Sequence, residues 1–411
     1  MNVRRSAVAL AAAFTVFGAA APAVAGPAPS ASPSVAIPDG LYGTADPTYD
    51  GVWRQSVALL AQHTVGERPA ASAVNWLTVQ QCASGAFPAF RADASKACDA
   101  KVMVDTNSTG IAVQALAALG GHDSATGKAV AWLKSAQNKD GGWGFAPGTP
   151  SDTNSTGVVI GALAAVGENP ATTVKGGASP YDLLAKYSLP CDKDGGALAY
   201  QPDKSGKTAP NADATAAGVL GALGKGAVVT AGKAPEQGGA CAAASGKALT
   251  PQEIARNGAA YLANATAKTG HLTSAMPGAK PQPDYGNTVD TVVSLAAQGD
   301  MQAAQKPYAW LEKNSAAWAK GSGPSAYAAL VLAAHAMGAD LHHFGGTDLV
   351  TALNATGPAP GAAEHSETGK SAKSEKSGSS STTALWWIVG VGLVAGVGIG
   401  FLISARRKRT P

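Results

Sequence analysis

The sequence predicts an all-α fold, a double-ringed helical barrel of about five to six helix pairs set between an N-terminal signal peptide and a C-terminal transmembrane helix. Three observations carry this. The hexapeptide Asp105-Thr-Asn-Ser-Thr-Gly110 recurs as Asp152-Thr-Asn-Ser-Thr-Gly157, each copy opening an Ala/Leu/Val-rich stretch, and a motif repeated with its flanks signals a repeat architecture. Two kinds of helix alternate, one apolar almost all round and one amphipathic. The ends carry export and membrane signals.

At the N-terminus, Arg4 and Arg5 precede an apolar run and then Ala23-Val-Ala25, a secretory signal with cleavage expected after residue 25. Residues 26–40, rich in Pro, Ala and Ser, form a disordered lead-in. The repeat domain is expected over 41–355. Residues 356–383 are Gly, Ser, Lys, Glu and Pro and read as a flexible stalk. The uncharged stretch 384–405 is long enough to cross a bilayer. Trp386 and Trp387 stand at its outer edge, and the basic tail 406–411 closes it on the cytoplasmic side. Gly392, Gly396 and Gly400 share one face of that helix, a spacing that permits close helix pairing. His365-Ser-Glu-Thr-Gly369 resembles a sortase signal but departs from it at the first two positions. The chain is therefore expected in the plasma membrane with its repeat domain outside.

The net charge of +4 is matched by the four basic residues Arg406 to Arg409. The exported part is thus near neutral, with no basic face for nucleic acid. Cys82, Cys98, Cys191 and Cys241 in an exported chain suggest two disulfides. Of three connectivities, Cys82–Cys98 with Cys191–Cys241 is favoured, each bridging the loops of one repeat.

The repeat frame is a polar turn, then a Thr-initiated apolar helix, then Gly. Asp105–Gly120, Asp152–Gly167, Asn211–Gly226 and Asp284–Gly299 fit it. Gly/Pro/Lys-rich insertions near 171–180, 203–210 and 225–250 widen the later intervals and belong in loops. A second helix precedes each frame, marked by Trp76-Leu77, Trp132-Leu133, Tyr261-Leu262 and Trp310-Leu311. Two further helices, 52–62 and 325–337, read as partners. The Thr109–Leu119 and Thr156–Val166 stretches are apolar nearly all round, as in helices buried on both sides, whereas the Trp-Leu helices carry Lys128, Lys134 and Gln137 outward.

Gln137-x-x-x-Gly141-Gly142-Trp143, echoed by Gln81-x-x-x-Gly85-Ala-Phe87, resembles the repeat of the prenyltransferase and squalene-cyclase superfamily, whose fold is the α/α toroid. The resemblance covers about residues 45–340. It implies structural roles for Gln81, Phe87, Gln137, Gly142 and Trp143 in tying neighbouring outer helices together. The string from Asp105 to Leu116 resembles the cobalamin-carrier branch of that fold, the transcobalamin and intrinsic-factor kind. Those carriers close their ligand with a small C-terminal β-domain. Here only stalk and anchor are expected to follow, so either a second ligand-binding polypeptide completes the site or the site stays open and weak.

Catalysis finds little support. The chain lacks the Asp-x-Asp-Asp cluster of cyclases, the Asp-Asp-x-x-Asp that holds magnesium diphosphate, and an Asp/Cys/His zinc set. Its 7 Phe are too few, and too much in loops, for an aromatic cyclase chamber. No metal is expected; His335, His342 and His343 read as surface residues. The polar turns suggest binding instead. If the inner helices run the same way, their first turns converge on one mouth, and Asp105, Asn107, Asp152, Asn154, Asn211, Asp213, Asp284, Tyr285 and Asn287 form a ligand-binding ring. Such a ring suits a neutral ligand with many amide edges, and the carrier resemblance implies a corrinoid. His122 is the residue to watch as a cobalt ligand. Capping competes for the same residues, since Asp and Asn are preferred N-caps, and Asn107 and Asn154 are the hardest to reduce to capping. The expected function is a membrane-tethered ligand-capture protein, passing a corrinoid to an importer. The alternatives are a surface interaction scaffold or a cyclase-like enzyme, the latter to be revived by an apolar cavity holding an exposed Asp.

Overall fold

A computed structural model describes residues 37–233, 239–244, 246, 248–274 and 280–361. The expected signal peptide, transmembrane helix and basic tail, and nearly all of the stalk, lie outside the described residues. Among the described residues no helix is long and apolar enough to cross a membrane.

The described chain is mostly helical. In order come α1 (Gly51–Thr64), α2 (Ala71–Val79), α3 (Thr106–Leu119), α4 (Asp123–Ala136), α5 (Thr153–Ala165), α6 (Pro180–Tyr187), the single turn α7 (Cys191–Asp194), α8 (Ala212–Ala222), α9 (Pro251–Ala267), α10 (Tyr285–Gln298), α11 (Met301–Asn314), α12 (Ala316–Ser322), α13 (Pro324–Met337) and α14 (Leu349–Asn354). A two-stranded antiparallel ribbon, β1 (Leu272–Ser274) with β2 (Gln282–Asp284), leads into α10, pairing Leu272 with Asp284.

Six helices close a ring: α1 packs on α3, α3 on α5, α5 on α8, α8 on α10, α10 on α13, and α13 returns to α1. Each has one outer partner that follows it in the chain: α2, α4, α6, α9, α11 and α14 respectively. The Trp-Leu signals mark α2, α4, α9 and α11. They miss α6 and α14, which are short and lack the Trp. The 52–62 and 325–337 stretches, read as partners, are the ring members α1 and α13.

Composition explains which helix goes where. In α3, Thr106 and every residue from Ser108 to Leu116 is buried, and α5 is similar, whereas α4 buries only Thr126, Ala129, Val130 and Leu133. A helix touched on both sides must be apolar all round; one touched on a single side needs a stripe. Small residues set the ring spacing. A Cβ added at Gly110 would lie 2.7 Å from Val158, and one at Gly157 would lie 2.6 Å from the Ala217 carbonyl, so α3, α5 and α8 approach closely only because these positions are Gly.

The repeated motif builds the links between pairs. Gln137 donates to the Gly141 carbonyl (2.8 Å) and to the Thr173 carbonyl of the next repeat (2.9 Å); Gln81 does the same to Gly85 (2.9 Å) and Ala125 (2.8 Å). Trp143, fully buried, donates from its indole to the Leu133 carbonyl at 2.6 Å, and Phe87 is equally buried. Gly142 leaves no room for a side chain, since a Cβ there would lie 2.3 Å from Leu183. One Thr recurs in every frame: Thr109, Thr156, Thr215 and Thr288 accept from the backbone N–H of Phe87, Trp143, Leu198 and Leu272. Leu198 and Leu272 are therefore the third and fourth counterparts of Phe87 and Trp143, without aromatic rings to reveal them.

The cysteines pair as Cys82–Cys98 and Cys191–Cys241. The first staples the loop after α2. The second ties the approach to α8 to the insertion that follows it. Closing loops of this kind is worth on the order of 3 kcal/mol each, and both belong to a chain folded in an oxidising compartment.

Candidate functional site

The inner helices enclose a cavity of about 490 Å³ along the ring axis. Its lining follows helical spacing. From α3 come Asn107, Ile111 and Gln114; from α5, Asn154, Gly157 and Val158; from α8, Asp213, Ala216, Ala217 and Leu220; from α10, Gly286, Val289, Asp290 and Val293; from α13, Ser325, Ala326, Ala329 and Leu332. Trp53 and Val57 of α1 and Trp318 and Ser322 of α12 complete the wall. Residues three and four apart share one face of a helix, so each ring helix gives the cavity one stripe.

Asn107, Asn154, Asp213 and Gly286 are each the second residue of their helix. The first turns of α5 and α8 lie side by side, since Asn154 Nδ2 donates to Asp213 Oδ2 at 2.7 Å. Asp290 stands one turn further in, below the gap that Gly286 leaves.

The nine residues expected to form a ring at the mouth divide into three groups. Asn107, Asn154 and Asp213 line the cavity. Asp105, Asp152, Asn211 and Asp284 turn back on their own helices as N-caps, accepting from the backbone N–H of Ser108 (2.6 Å), Ser155 (2.7 Å), Ala214 (2.8 Å) and Asn287 (3.1 Å). A cap side chain must reach the third backbone N–H of its helix, which points it away from the axis. Asn287 donates to Asp284 Oδ2 at 2.7 Å, supporting that cap. Tyr285 lies in an aromatic ladder: His271 stacks on Trp310 (4.3 Å), Trp310 meets Tyr285 (5.0 Å), and Tyr285 stacks on the cavity residue Trp318 (5.3 Å).

Asp290 is the site residue that the repeat pattern does not mark. Its side chain is exposed and opens into the cavity, with the ring helices crowded around its carboxyl. Burial pushes its carboxyl up to about 7, with the negative charges of Asp213 and Asp284 adding to the shift. Asp213 is also raised, chiefly by burial; its bond from Asn154 opposes this and Asp284 reinforces it. Burial likewise raises the caps Asp105 and Asp152 against the pull of their helix N–H groups. A lone acid in the apolar run Val289-Asp-Thr-Val-Val293 is a signal that reading for repeats passes over.

At the far end the start of the 225–250 insertion is folded across the axis. Lys225, Gly226 and Ala227 line the cavity there. Gln114 accepts from the Ala227 N–H at 2.9 Å and donates to the Val158 carbonyl at 3.2 Å, while Lys225 Nζ donates to the Ala297 carbonyl at 3.2 Å. Val229, just beyond, is buried in the core. This stretch, expected as surface loop, is a floor.

The histidines lie elsewhere. His122 lines an outer groove with Gly120, Asp123, Lys134 and Glu168, away from the axial cavity. His342 pairs with Asp348 at 3.0 Å and His343 with Asp340 at 2.6 Å, both His side chains being exposed. Among the described residues no group of three or more His, Cys, Asp or Glu could hold a metal ion.

Fold and cavity together define a class: a mostly helical ring with an axial, mostly apolar chamber that carries its acids at one end. No family model matches the chain, and no curated protein matches it. Among solved structures, one described only as a protein from Actinoplanes aligns with a TM-score of 0.40 at 18% identity, covering 73% of this chain and 79% of the other. A glycosidase variant aligns with a TM-score of 0.42 at 14% identity, covering 75% and 92%. At these scores neither likeness assigns a fold or an activity.

Proposed function

We propose that the ring is an α/α toroid used for ligand capture, and that the axial chamber is where the ligand sits. The observation that carries this reading is the chamber itself: about 490 Å³, within the range of pockets that enclose small molecules, with apolar walls and a few convergent polar groups. A filled axis would have favoured a surface scaffold. The two disulfides support work outside the cytoplasm.

The chamber favours a compact, largely apolar ligand over a corrinoid. A corrin with its amide arms exceeds a pocket of this size and asks for many hydrogen-bond partners. Asn107, Asn154, Asp213, Asp290 and Gln114 supply a handful, and Gln114 is already engaged in the floor. Hand-off to an importer or completion by a second polypeptide stays part of the proposal only if a corrinoid binds.

One observation favours a second reading. Asp290 is a carboxyl with a pKa near 7 facing an apolar cavity, the state in which an acid is half protonated at neutral pH and can donate. That is the chemistry of a cyclase-like enzyme, although the sequence lacks the Asp-Asp-x-x-Asp run that holds magnesium diphosphate.

The test is equilibrium binding by the full-length chain in lipid nanodiscs, with cyanocobalamin, cobinamide and adamantan-1-ol as probes. Saturable binding of adamantan-1-ol, abolished by Ala329→Trp, which fills the chamber, is expected. Saturable corrinoid binding would restore the carrier reading. No binding of any probe would sink ligand capture, and turnover of an added isoprenoid lost in Asp290→Asn would move the reading to catalysis.

A further inference from the structure

Acceptors outnumber donors at the acid end of the chamber, where Asp213 and Asp290 line the wall beside Asn107 and Asn154. Asn154 spends its Nδ2 on Asp213, which fixes the amide with Oδ1 turned the other way, because Oδ1 against a carboxylate would be repulsive. That Oδ1 is fully buried and has no hydrogen-bond partner, and neither has the buried Oδ1 of Asn107. Both residues line the chamber. A buried acceptor without a donor is costly, and such atoms are rarely left so in a folded protein. Two carboxyls, Asp213 and Asp290, line the same end, close enough to Asp284 to feel its charge. The basic residue among the described lining is Lys225, in the floor at the opposite end, where its ammonium donates to the Ala297 carbonyl.

What fills this arrangement must bring donors and positive charge at one end and apolar bulk behind them. Resting on the ligand-capture reading, we propose that the chamber selects an amphiphilic primary amine, its ammonium among Asn107, Asn154, Asp213 and Asp290 and its apolar body against Leu220, Val293 and Leu332. An ammonium presents three donors and no acceptor, which matches the two carboxyls that line this end. It also relieves the mutual repulsion of the carboxyls, and charge-assisted bonds in a water-poor site are the strong ones. Trp53 and Trp318 add two indoles to the wall, the rings that best favour a nearby cation. The ladder His271–Trp310–Tyr285–Trp318 continues that aromatic surface away from the chamber.

The experiment compares one scaffold with three heads: 1-adamantylamine, adamantan-1-ol and adamantane-1-carboxylate, titrated into the full-length chain in nanodiscs at pH 6 and pH 8, with empty nanodiscs subtracted. The amine is expected to bind at least tenfold more tightly than the alcohol at pH 8, and the carboxylate more weakly than both. The amine's advantage should shrink at pH 6, where the Asp290 carboxyl holds its proton, and should fall to within threefold in Asp290→Asn and in Asp213→Asn. The exposed-site variant Asp340→Asn should keep it. Circular dichroism and retained alcohol binding show that the variants are folded. Equal binding of amine and alcohol overturns this proposal and leaves ligand capture standing; so does an amine advantage that survives both Asp variants. Absence of binding by all three overturns both.

Discussion

The two ends of the barrel are built from the same helices and do opposite things. At the end where the helices begin, the second residue of four ring helices faces the axis, and it is Asn, Asn, Asp and Gly in turn (Asn107, Asn154, Asp213, Gly286). Asp213 brings a carboxyl to the chamber, and the two Asn side chains hold Oδ1 atoms that are buried without partners. At the other end Gln114 and the stretch Lys225–Ala227 bond to each other and to neighbouring carbonyls. The first end can recognise; the second only seals. The contrast teaches that one repeat position can carry structure and the next one recognition. Asp105 and Asp152 cap, while Asn107 and Asn154, two residues on, face the chamber.

The sharpest way to break the comparison is at the floor. Gln114→Ala removes the acceptor of Ala227 N–H and the donor to Val158 O. The Val158 carbonyl keeps its helical bond, but leaving the partly buried Ala227 N–H unpaired should cost about 2–3 kcal/mol. Chemical denaturation measures that loss, and amide hydrogen exchange at Ala227 should quicken well beyond the global change. Unchanged protection at Ala227 would show that the seal does not depend on Gln114.

Next come the caps. Asp105→Ala and Asp152→Ala each remove a buried side chain bonded to the first turn and should cost about 1–2 kcal/mol. Affinity for a chamber ligand should hold to within about threefold, because neither side chain lines the cavity. A large loss of affinity in a folded cap variant would return these residues to the site.

A third effect depends on pH. The Asp290 carboxyl titrates near 7 in the folded chain and near 3.8 when free. The folded state therefore holds a proton between those values that the unfolded state has lost. By linkage, the protonated carboxyl supports the fold at low pH, and stability falls as pH rises through about 7. Asp213, Asp105 and Asp152 are raised too and slope the same way. Asp290→Asn should flatten the fall between pH 5 and pH 8 in part. At pH 8 it should raise the Tm by roughly 2 °C, the shift that about 1 kcal/mol gives in a large domain, a modest figure because the carboxyl faces cavity space. An unaltered pH profile of Tm would mean that Asp290 is ionised throughout.

Much of the helical fold was legible because repeats write themselves twice. The duplicated hexapeptide located α3 and α5 and their caps, and the Gln-to-Trp segment located the links between pairs. The pairing of the cysteines followed from loop position. Legibility failed where a role has no repeated letter. α6 has no Trp, and Leu198 and Leu272 do by backbone and Thr contacts what Phe87 and Trp143 do with rings added. The floor was hidden because Gly and Lys read as loop whether a loop lies outside or across an axis. The ring of nine was drawn from residue type alone, and type does not tell a side chain that folds back on its helix from one that faces the axis. Asp290 escaped for the converse reason: it breaks the apolar pattern once, and a search for what recurs has no place for a single exception.

The smallest expected change in stability tests the comparison most closely. Asn107→Ala and Asn154→Ala delete side chains whose Oδ1 atoms are buried without partners. Removing an unsatisfied acceptor forfeits no bond, so Asn107→Ala should alter stability by less than about 0.5 kcal/mol or raise it slightly. Asn154→Ala also strips Asp213 of its 2.7 Å donor. That should push the Asp213 carboxyl further up and cost more than the Asn107 change, by about 1 kcal/mol. If both residues served the fold alone, as their neighbours Asp105 and Asp152 do, the Asn107 change would cost as much as a cap, and denaturation midpoints of the four single variants would fall together. A pair of caps that cost stability beside an Asn107 that does not is the pattern of a position kept for something other than folding.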